Sequence, residues 1–295
     1  MTKTRTLLLT LWALVLTVLS ASSASGRGVE PDSLLVFRHG GMERSYRLYV
    51  PDSLAAGRPL VIMLHGYGGH ASPESFGILA AARRYGFAAC FPQGAADARG
   101  KSCWNVGYPF QDGLQTDDVD FICSLAGYLV GEYGLDARNV FCTGHSNGGE
   151  MCYLMAYRRP DVFAAVAPIA GLTLEWMYHD LEASKPIPLM ELHGTEDKTS
   201  LWCGDPRNEG GWGAYIAVPL AVGYWAAADR CTYVETEELP TGKSGVRVTA
   251  HRYRGGTAGC EVWLYEIHGG GHSWSADVMD TGSEIWRFFS MYVSE

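Results

Sequence analysis

Five short, mostly apolar runs dominate the first two thirds of this chain: Pro59–Leu64, Phe87–Phe91, Asn139–Thr143, Val162–Ile169 and Pro188–Leu192. A strand with one wet face alternates apolar and polar residues, whereas a continuous apolar run belongs to a strand covered on both faces. Helical patterns separate the runs: Glu74–Tyr85, Asp117–Tyr133 with acidic residues at its start, and Gly148–Arg159, stopped by Pro160. Strands Leu34–Phe37 and Tyr46–Val50 open the fold as a hairpin around Gly40-Gly41. Helix Val218–Asp229, strands Val246–Tyr253 and Glu261–Ile267, and helix Ser283–Val293 close it. Alternating strands and helices predict an α/β fold, with a mostly parallel central sheet and helices on both faces. In such sheets functional groups gather beyond the carboxyl ends of the strands.

Lys3 and Arg5, the apolar run Leu7–Leu19 and the small residues Ala21–Gly26 have the layout of a secretory signal peptide cleaved near Ala24. The apolar run is shorter than the ~20 residues a membrane span needs. We therefore expect a leader over residues 1–24, one domain over residues 29–295, and a secreted protein, extracellular or periplasmic, without membrane attachment after cleavage. The formal charge is −9, and it grows more negative once Lys3 and Arg5 are lost. Such a charge argues against nucleic-acid partners, which favour basic surfaces. The eight cysteines contain no C-x-x-C pair. Cys90, Cys123, Cys142 and Cys152 lie in apolar stretches and read as buried thiols, while Cys231 and Cys260 are expected to form a disulfide. No metal-ligand cluster, phosphate-cradling loop or nucleotide fingerprint stands out, so neither metal nor cofactor is expected.

Gly144-His145-Ser146-Asn147-Gly148 joins a predicted strand to a predicted helix. In that context G-x-S-x-G makes a sharp turn that lifts the serine hydroxyl above the sheet, with the helix N-terminus facing developing negative charge. A serine needs a base. His272, on the glycine-rich loop His268–Trp274 after the last predicted strand, is preferred over His268. His65 and His145 read as structural residues of nearby turns. A carboxylate must orient the base; Asp197 is preferred over its neighbour Glu196, and both follow the Pro188–Leu192 strand. Asp117 and Asp118 precede the serine, and capping or solvated roles suffice for them. An oxyanion needs two preorganised donors: the backbone N–H groups of Asn147 and of Tyr67, in the turn His65–Gly69. Trp104 and Trp274 are candidates for lining a substrate pocket.

Six segments together resemble a family of esterases: LHGYGG at Leu64–Gly69, CWN at Cys103–Asn105, DDVDF at Asp117–Phe121, TGHSNGG, HGTED and GGGHSW. The chain is similar to secreted polyhydroxybutyrate depolymerases and to the feruloyl and acetylxylan esterases of carbohydrate esterase family one, members of the α/β-hydrolase superfamily. That resemblance implies a triad of Ser146, Asp197 and His272 and ester hydrolysis without a cofactor. The sequence departs from the family where Leu and Ala often flank the serine, here His145 and Asn147, and where Pro often follows the last tryptophan, here Ser275. The expected substrate is a feruloyl or acetyl ester, polysaccharide-linked in the plant cell wall or small and soluble. Poly(3-hydroxybutyrate) is the alternative. A non-catalytic carbohydrate-binding module would lack the nucleophile or the base, and both are present.

Overall fold

The computed structural model describes residues 28–295, so the expected leader lies outside the described residues. The order of elements follows the apolar runs. Strands β1 (Leu35–His39) and β2 (Met42–Tyr49) form the opening hairpin, and β3 (Leu60–Leu64) leads into helix α1 (Ile78–Tyr85) and strand β4 (Ala88–Pro92). A two-residue ribbon, β5 (Ala95–Ala96) with β6 (Ser102–Cys103), precedes α2 (Asp118–Tyr133). Then come β7 (Val140–His145), α3 (Asn147–Arg158), β8 (Ala165–Ile169), α4 (Glu175–Asp180), β9 (Leu189–Gly194) and α5 (Val218–Ala228). Strands β10 (Tyr233–Leu239), β11 (Arg247–Arg254) and β12 (Val262–His268) and helix α6 (Thr281–Ser290) complete the chain.

Ten strands form one sheet in the order β1-β2-β4-β3-β7-β8-β9-β12-β11-β10. The six central strands from β4 to β12 run parallel, and the pairs at each edge are antiparallel. All five residues of β3 are buried. Leu60, Ile62 and Leu64 face one core layer with α2, α3 and α5; Val61 and Met63 face the other, with α1 and α6. Each such side chain contributes about 1.5–3 kcal/mol on burial, which is why the two-sided apolar runs occupy the centre of the sheet. The carboxyl ends of β3, β7, β9 and β12 lie along one edge of it, and the site is built there.

The structure departs from expectation in several places. Glu74–Tyr85 is not one helix: a 3-10 turn at Ser75–Gly77 carries Phe76 at φ 49°, and α1 begins only at Ile78. The left-handed residue interrupts the helical path. Strand β10 (YVETEEL) was not anticipated, because nearly every residue in it is exposed and no burial pattern marks it. Its register on β11 is secured instead by Arg254–Glu235 and Arg252–Glu237 pairs, each at 2.6 Å. Helix α4 also escapes the sequence pattern. Cys231 and Cys260, expected as a disulfide, are free thiols, as are the other six cysteines. Asp117 caps α2 by accepting from the Asp120 N–H at 2.9 Å. Asp118, by contrast, is neither solvated nor a cap: it is buried against Arg44 at 2.7 Å and accepts from the Asn105 N–H at 2.8 Å. Among the described residues no helix is long and apolar enough to cross a membrane.

Candidate active site

Strand β7 ends at His145, and α3 begins at Asn147, so the chain must reverse within Ser146. It does so at φ 54°, ψ −122°, a conformation costly for a residue with a Cβ and found where surrounding packing enforces it. Two glycines make that packing possible. A Cβ on Gly144 would lie 2.5 Å from the Gly148 carbonyl oxygen, and one on Gly148 would lie 2.5 Å from that of Leu64. Strand β3, the turn and helix α3 thus touch backbone to backbone, and Ser146 is lifted into a cleft of about 430 Å³ that His272 also lines.

His272 Nδ1 donates to Asp197 Oδ2 at 2.7 Å. The other oxygen of Asp197 accepts from the backbone N–H groups of Thr199 (2.7 Å) and Ser200 (2.9 Å). Asp197 is 3% exposed. Burial alone would raise its carboxyl, but the bond to His272 and the two backbone donors outweigh it and hold the group below the usual carboxylate range. The acid loop and the histidine loop are joined directly: Glu196 N–H donates to the Gly270 carbonyl at 2.9 Å, and Gly269 N–H to Thr195 Oγ1 at 2.9 Å. Glu196 itself points to solvent. His268 sits at the end of β12, bonded to Thr249 Oγ1 at 2.8 Å, and lines a different hollow.

The turn after β3 is arranged by His65. Its Nδ1–H donates to the Gly66 carbonyl at 2.7 Å, and its Nε2 accepts from the Gly94 N–H at 2.9 Å, which specifies the Nδ1–H tautomer. Burial keeps the ring below its ordinary pKa and therefore neutral. The Gly66 carbonyl also accepts from Gly69 N–H at 2.9 Å. Held from that side, the trans peptide turns the Tyr67 N–H the opposite way, and among the described residues it meets no acceptor. Asn147 N–H, first in α3, has no acceptor within the helix either. The two turns are adjacent, since a Cβ on Gly66 would lie 3.3 Å from Ser146 Cβ.

The two departures flanking the serine have visible roles. His145 donates from Nε2 to the carbonyl of His272 at 2.8 Å, and its ring lies 4.7 Å from that of His272. Burial, reinforced by the neighbouring His272, depresses His145 to about 4, so it is a neutral strut for the loop. Asn147 clamps Trp104 by accepting from its N–H at 2.7 Å and donating to its carbonyl at 3.1 Å.

Neither tryptophan expected at the pocket lines this cleft. Trp104 is fully buried, its indole N–H donating to the His65 carbonyl at 2.8 Å. Trp274 bonds Thr281 Oγ1 at 2.8 Å and packs edge-on behind Phe76. A large aromatic near a motif satisfies its buried N–H as readily by supporting the motif as by facing a ligand. The cleft wall comes instead from Trp212, Tyr67, Phe76 and Met63. Trp212 meets Tyr67 edge to face at 5.4 Å and Phe110 at 5.9 Å, and Asp97 accepts from the Tyr67 hydroxyl at 2.6 Å. Sequence reading missed Trp212. Its only signal is an aromatic between glycines, Gly210-Gly211-Trp212-Gly213, in the long connection after the acid loop.

Residues 44–188 match the family described as "Esterase PHB depolymerase". The chain is 30% identical over 255 residues to "Putative esterase NocK" of Nocardia uniformis subsp. tsuyamanensis, covering 79% of this chain and 71% of that protein. It is 24% identical over 259 residues to a bifunctional acetylxylan esterase/xylanase of Neocallimastix patriciarum, covering 86% of this chain but only 34% of that protein. It is 30% identical over 155 residues to poly(3-hydroxyalkanoate) depolymerase C of Paucimonas lemoignei, covering 52% of this chain and 35% of that protein. The fold is like that of an acetyl xylan esterase from Aspergillus awamori, with a TM-score of 0.59 at 18% identity over 88% of this chain and 99% of that one.

Proposed function

The chain belongs to the esterase family of the polyhydroxybutyrate depolymerases, and from that premise we propose that it hydrolyses carboxylic esters through Ser146, with His272 as base and Asp197 as its orienting carboxylate. The observation that carries this reading is the 2.7 Å bond between His272 Nδ1 and a buried Asp197, in the same cleft as a serine held at φ 54°. In the neutral ring that bond places the hydrogen on Nδ1 and the lone pair on Nε2, toward the reacting groups. Ser146 Oγ attacks the ester carbonyl as His272 Nε2 takes its proton. The oxyanion that forms is met by the N–H groups of Tyr67 and Asn147. The tetrahedral intermediate collapses, breaking the acyl–oxygen bond as His272 protonates the leaving alcohol. Water, deprotonated by the same imidazole, then releases the acid and restores Ser146.

The substrate we propose is an acetyl or hydroxycinnamoyl ester of a plant cell-wall polysaccharide, encountered outside the cell after removal of residues 1–24, with residues 29–295 as the catalytic domain. The aromatic wall of Trp212, Tyr67 and Phe76 suits a planar acid or a sugar face. Feruloyl and acetylxylan esterases are among the proteins it is similar to. Similarity to the poly(3-hydroxyalkanoate) depolymerase favours a second reading, cleavage of a short hydroxyacid polyester. A panel of soluble acetyl, butyryl and feruloyl esters, acetylated xylan, long-chain triglyceride and solid polyhydroxybutyrate separates them. Release of acetate or ferulate with little action on triglyceride supports the first. Efficient clearing of the polymer without such release replaces it by the second. Ser146→Ala should abolish all turnover with an unchanged melting temperature; a folded variant keeping more than about 1% of kcat removes Ser146 from its role.

A further inference from the structure

The mechanism uses Asp197 but leaves unexplained what stands behind it. His193 and Glu191, both on β9, have fully buried side chains. His193 Nδ1 lies 2.8 Å from Glu191 Oε1. Its Nε2 lies 2.8 Å from the Ser200 carbonyl and 3.6 Å from Asp197 Oδ2, the same oxygen that accepts from His272. The second oxygen of Glu191 accepts from the Tyr153 hydroxyl at 3.0 Å.

Counting donors and acceptors decides the protonation of this ring. A carbonyl can only accept, so Nε2 must carry a hydrogen. Nδ1 faces a carboxylate oxygen, so a hydrogen lies there too, between an imidazole and a carboxyl group. Burial raises the Glu191 carboxyl, and the bonds from His193 and the Tyr153 hydroxyl offset only part of that. The Ser200 carbonyl and Asp197 on the ring's other side, which both favour a charged imidazole, place the proton on His193. The charged and titratable groups around His193 are Glu191 on its own strand, Asp197 from the acid loop with His272 beyond it, His145 on β7, and, through Glu191, Tyr153 and Glu150 on α3. His145 is neutral, and burial pushes the Glu150 carboxyl up to about 8, so the two carboxylates nearest the ring are the charges that matter.

Resting on the triad reading above, we propose that His193 is a buried imidazolium that positions Asp197 and sets the acid edge of the enzyme's working pH range. As a cation 3.6 Å from Asp197 Oδ2, it keeps the carboxylate ionised and fixed toward His272. It also offsets part of the negative field that stabilises protonated His272. The base therefore stays neutral, and active, at lower pH than a lone Asp–His pair allows. Burial disfavours the charged ring, but the Glu191 bond, the Ser200 carbonyl and Asp197 together overcome that and raise its affinity for the proton.

The test has a spectroscopic arm and a kinetic arm. Nitrogen-15 NMR of the intact wild-type protein should show both His193 nitrogens protonated at pH 7. A neutral tautomer at pH 7 overturns the proposal, whatever the role of Ser146. In the kinetic arm, His193→Gln keeps a donor toward Ser200 but removes the charge, and Glu191→Gln removes the carboxylate that holds the ring's second proton, so that His193 becomes neutral. Each should shift the acid limb of kcat/KM upward by roughly half a unit to one unit, with KM changed less than about threefold. Folded variants with the wild-type pH profile overturn the proposal. Inactivity of Ser146→Ala, measured beside them, keeps this outcome separate from a failure of the triad assignment.

Discussion

Replacing His65 by alanine tests whether a residue that need not touch the substrate aligns the Tyr67 N–H proposed as an oxyanion donor. The ring is 6% exposed and makes two strong bonds, to the Gly66 carbonyl at 2.7 Å and from the Gly94 N–H at 2.9 Å. Removing it strands a buried backbone donor at Gly94 and opens a cavity, for a combined cost of about 2–4 kcal/mol. The catalytic effect has a different origin. The Gly66 carbonyl keeps its bond from Gly69 N–H but loses the stronger restraint, so the 66–67 peptide can rock and the Tyr67 N–H loses its fixed direction. Complete loss of an oxyanion donor costs about 10²–10³ in kcat; with one restraint left, His65→Ala should lose about 10- to 100-fold. The substrate carbonyl in the ground state needs this donor less, so KM should stay within about threefold. Hydrolysis of p-nitrophenyl acetate, measured well below a melting temperature taken from circular dichroism, separates the two effects. A folded variant with kcat within about threefold of the wild type would refute the claim that His65 sets this peptide.

Gly148→Ala sets helix propensity against packing: alanine in a helix gains about 1 kcal/mol over glycine, but the new Cβ would sit 2.5 Å and 2.8 Å from two backbone oxygens, those of Leu64 and His65. Packing should win by about 1–3 kcal/mol, lowering the denaturant midpoint; an unchanged or raised midpoint contradicts the close approach. Trp212→Ala should raise KM for a feruloyl ester by about 5- to 30-fold, from roughly 1–2 kcal/mol of lost aromatic contact, and leave acetyl ester turnover nearly unchanged; equal effects on both would place Trp212 outside the acyl contact. His145 is depressed to about 4, whereas an unfolded histidine titrates near ~6.5. Protonation therefore favours the unfolded chain: the stabilisation is full above about pH 6.5 and is lost as pH falls toward 4, by up to about 3 kcal/mol. Urea midpoints from pH 7 to 4.5 should fall less steeply for His145→Gln than for the wild type, and parallel curves would show that another group governs the acid limb.

Some of this was determined by the order of residues alone. Apolar runs without alternation can be satisfied only between two helical layers, so Pro59–Leu64 and Pro188–Leu192 announced central parallel strands, found as β3 and β9. The glycine spacing around Ser146 reports a local backbone requirement, and the structure supplies its reason in the contact between β3 and α3. What sequence could not convey was which side of a residue faces the cleft. Trp104, Trp212 and Trp274 are chemically equal in a string of letters. Only tertiary packing sends Trp104 inward to the His65 carbonyl, Trp274 behind Phe76, and Trp212 to the wall. Strand β10 escaped notice for a related reason, since an edge strand exposed on both faces is held by backbone pairing and cross-strand ion pairs that leave no hydrophobic period. The ring of His193 is the sharpest case. The sequence places it four residues before Asp197, but its two hydrogens follow from acceptors brought by β9 and the acid loop. Burial period is written along the chain because every turn of helix or strand repeats it; the direction and charge of a single side chain depend on partners that only folding brings within 3 Å or so.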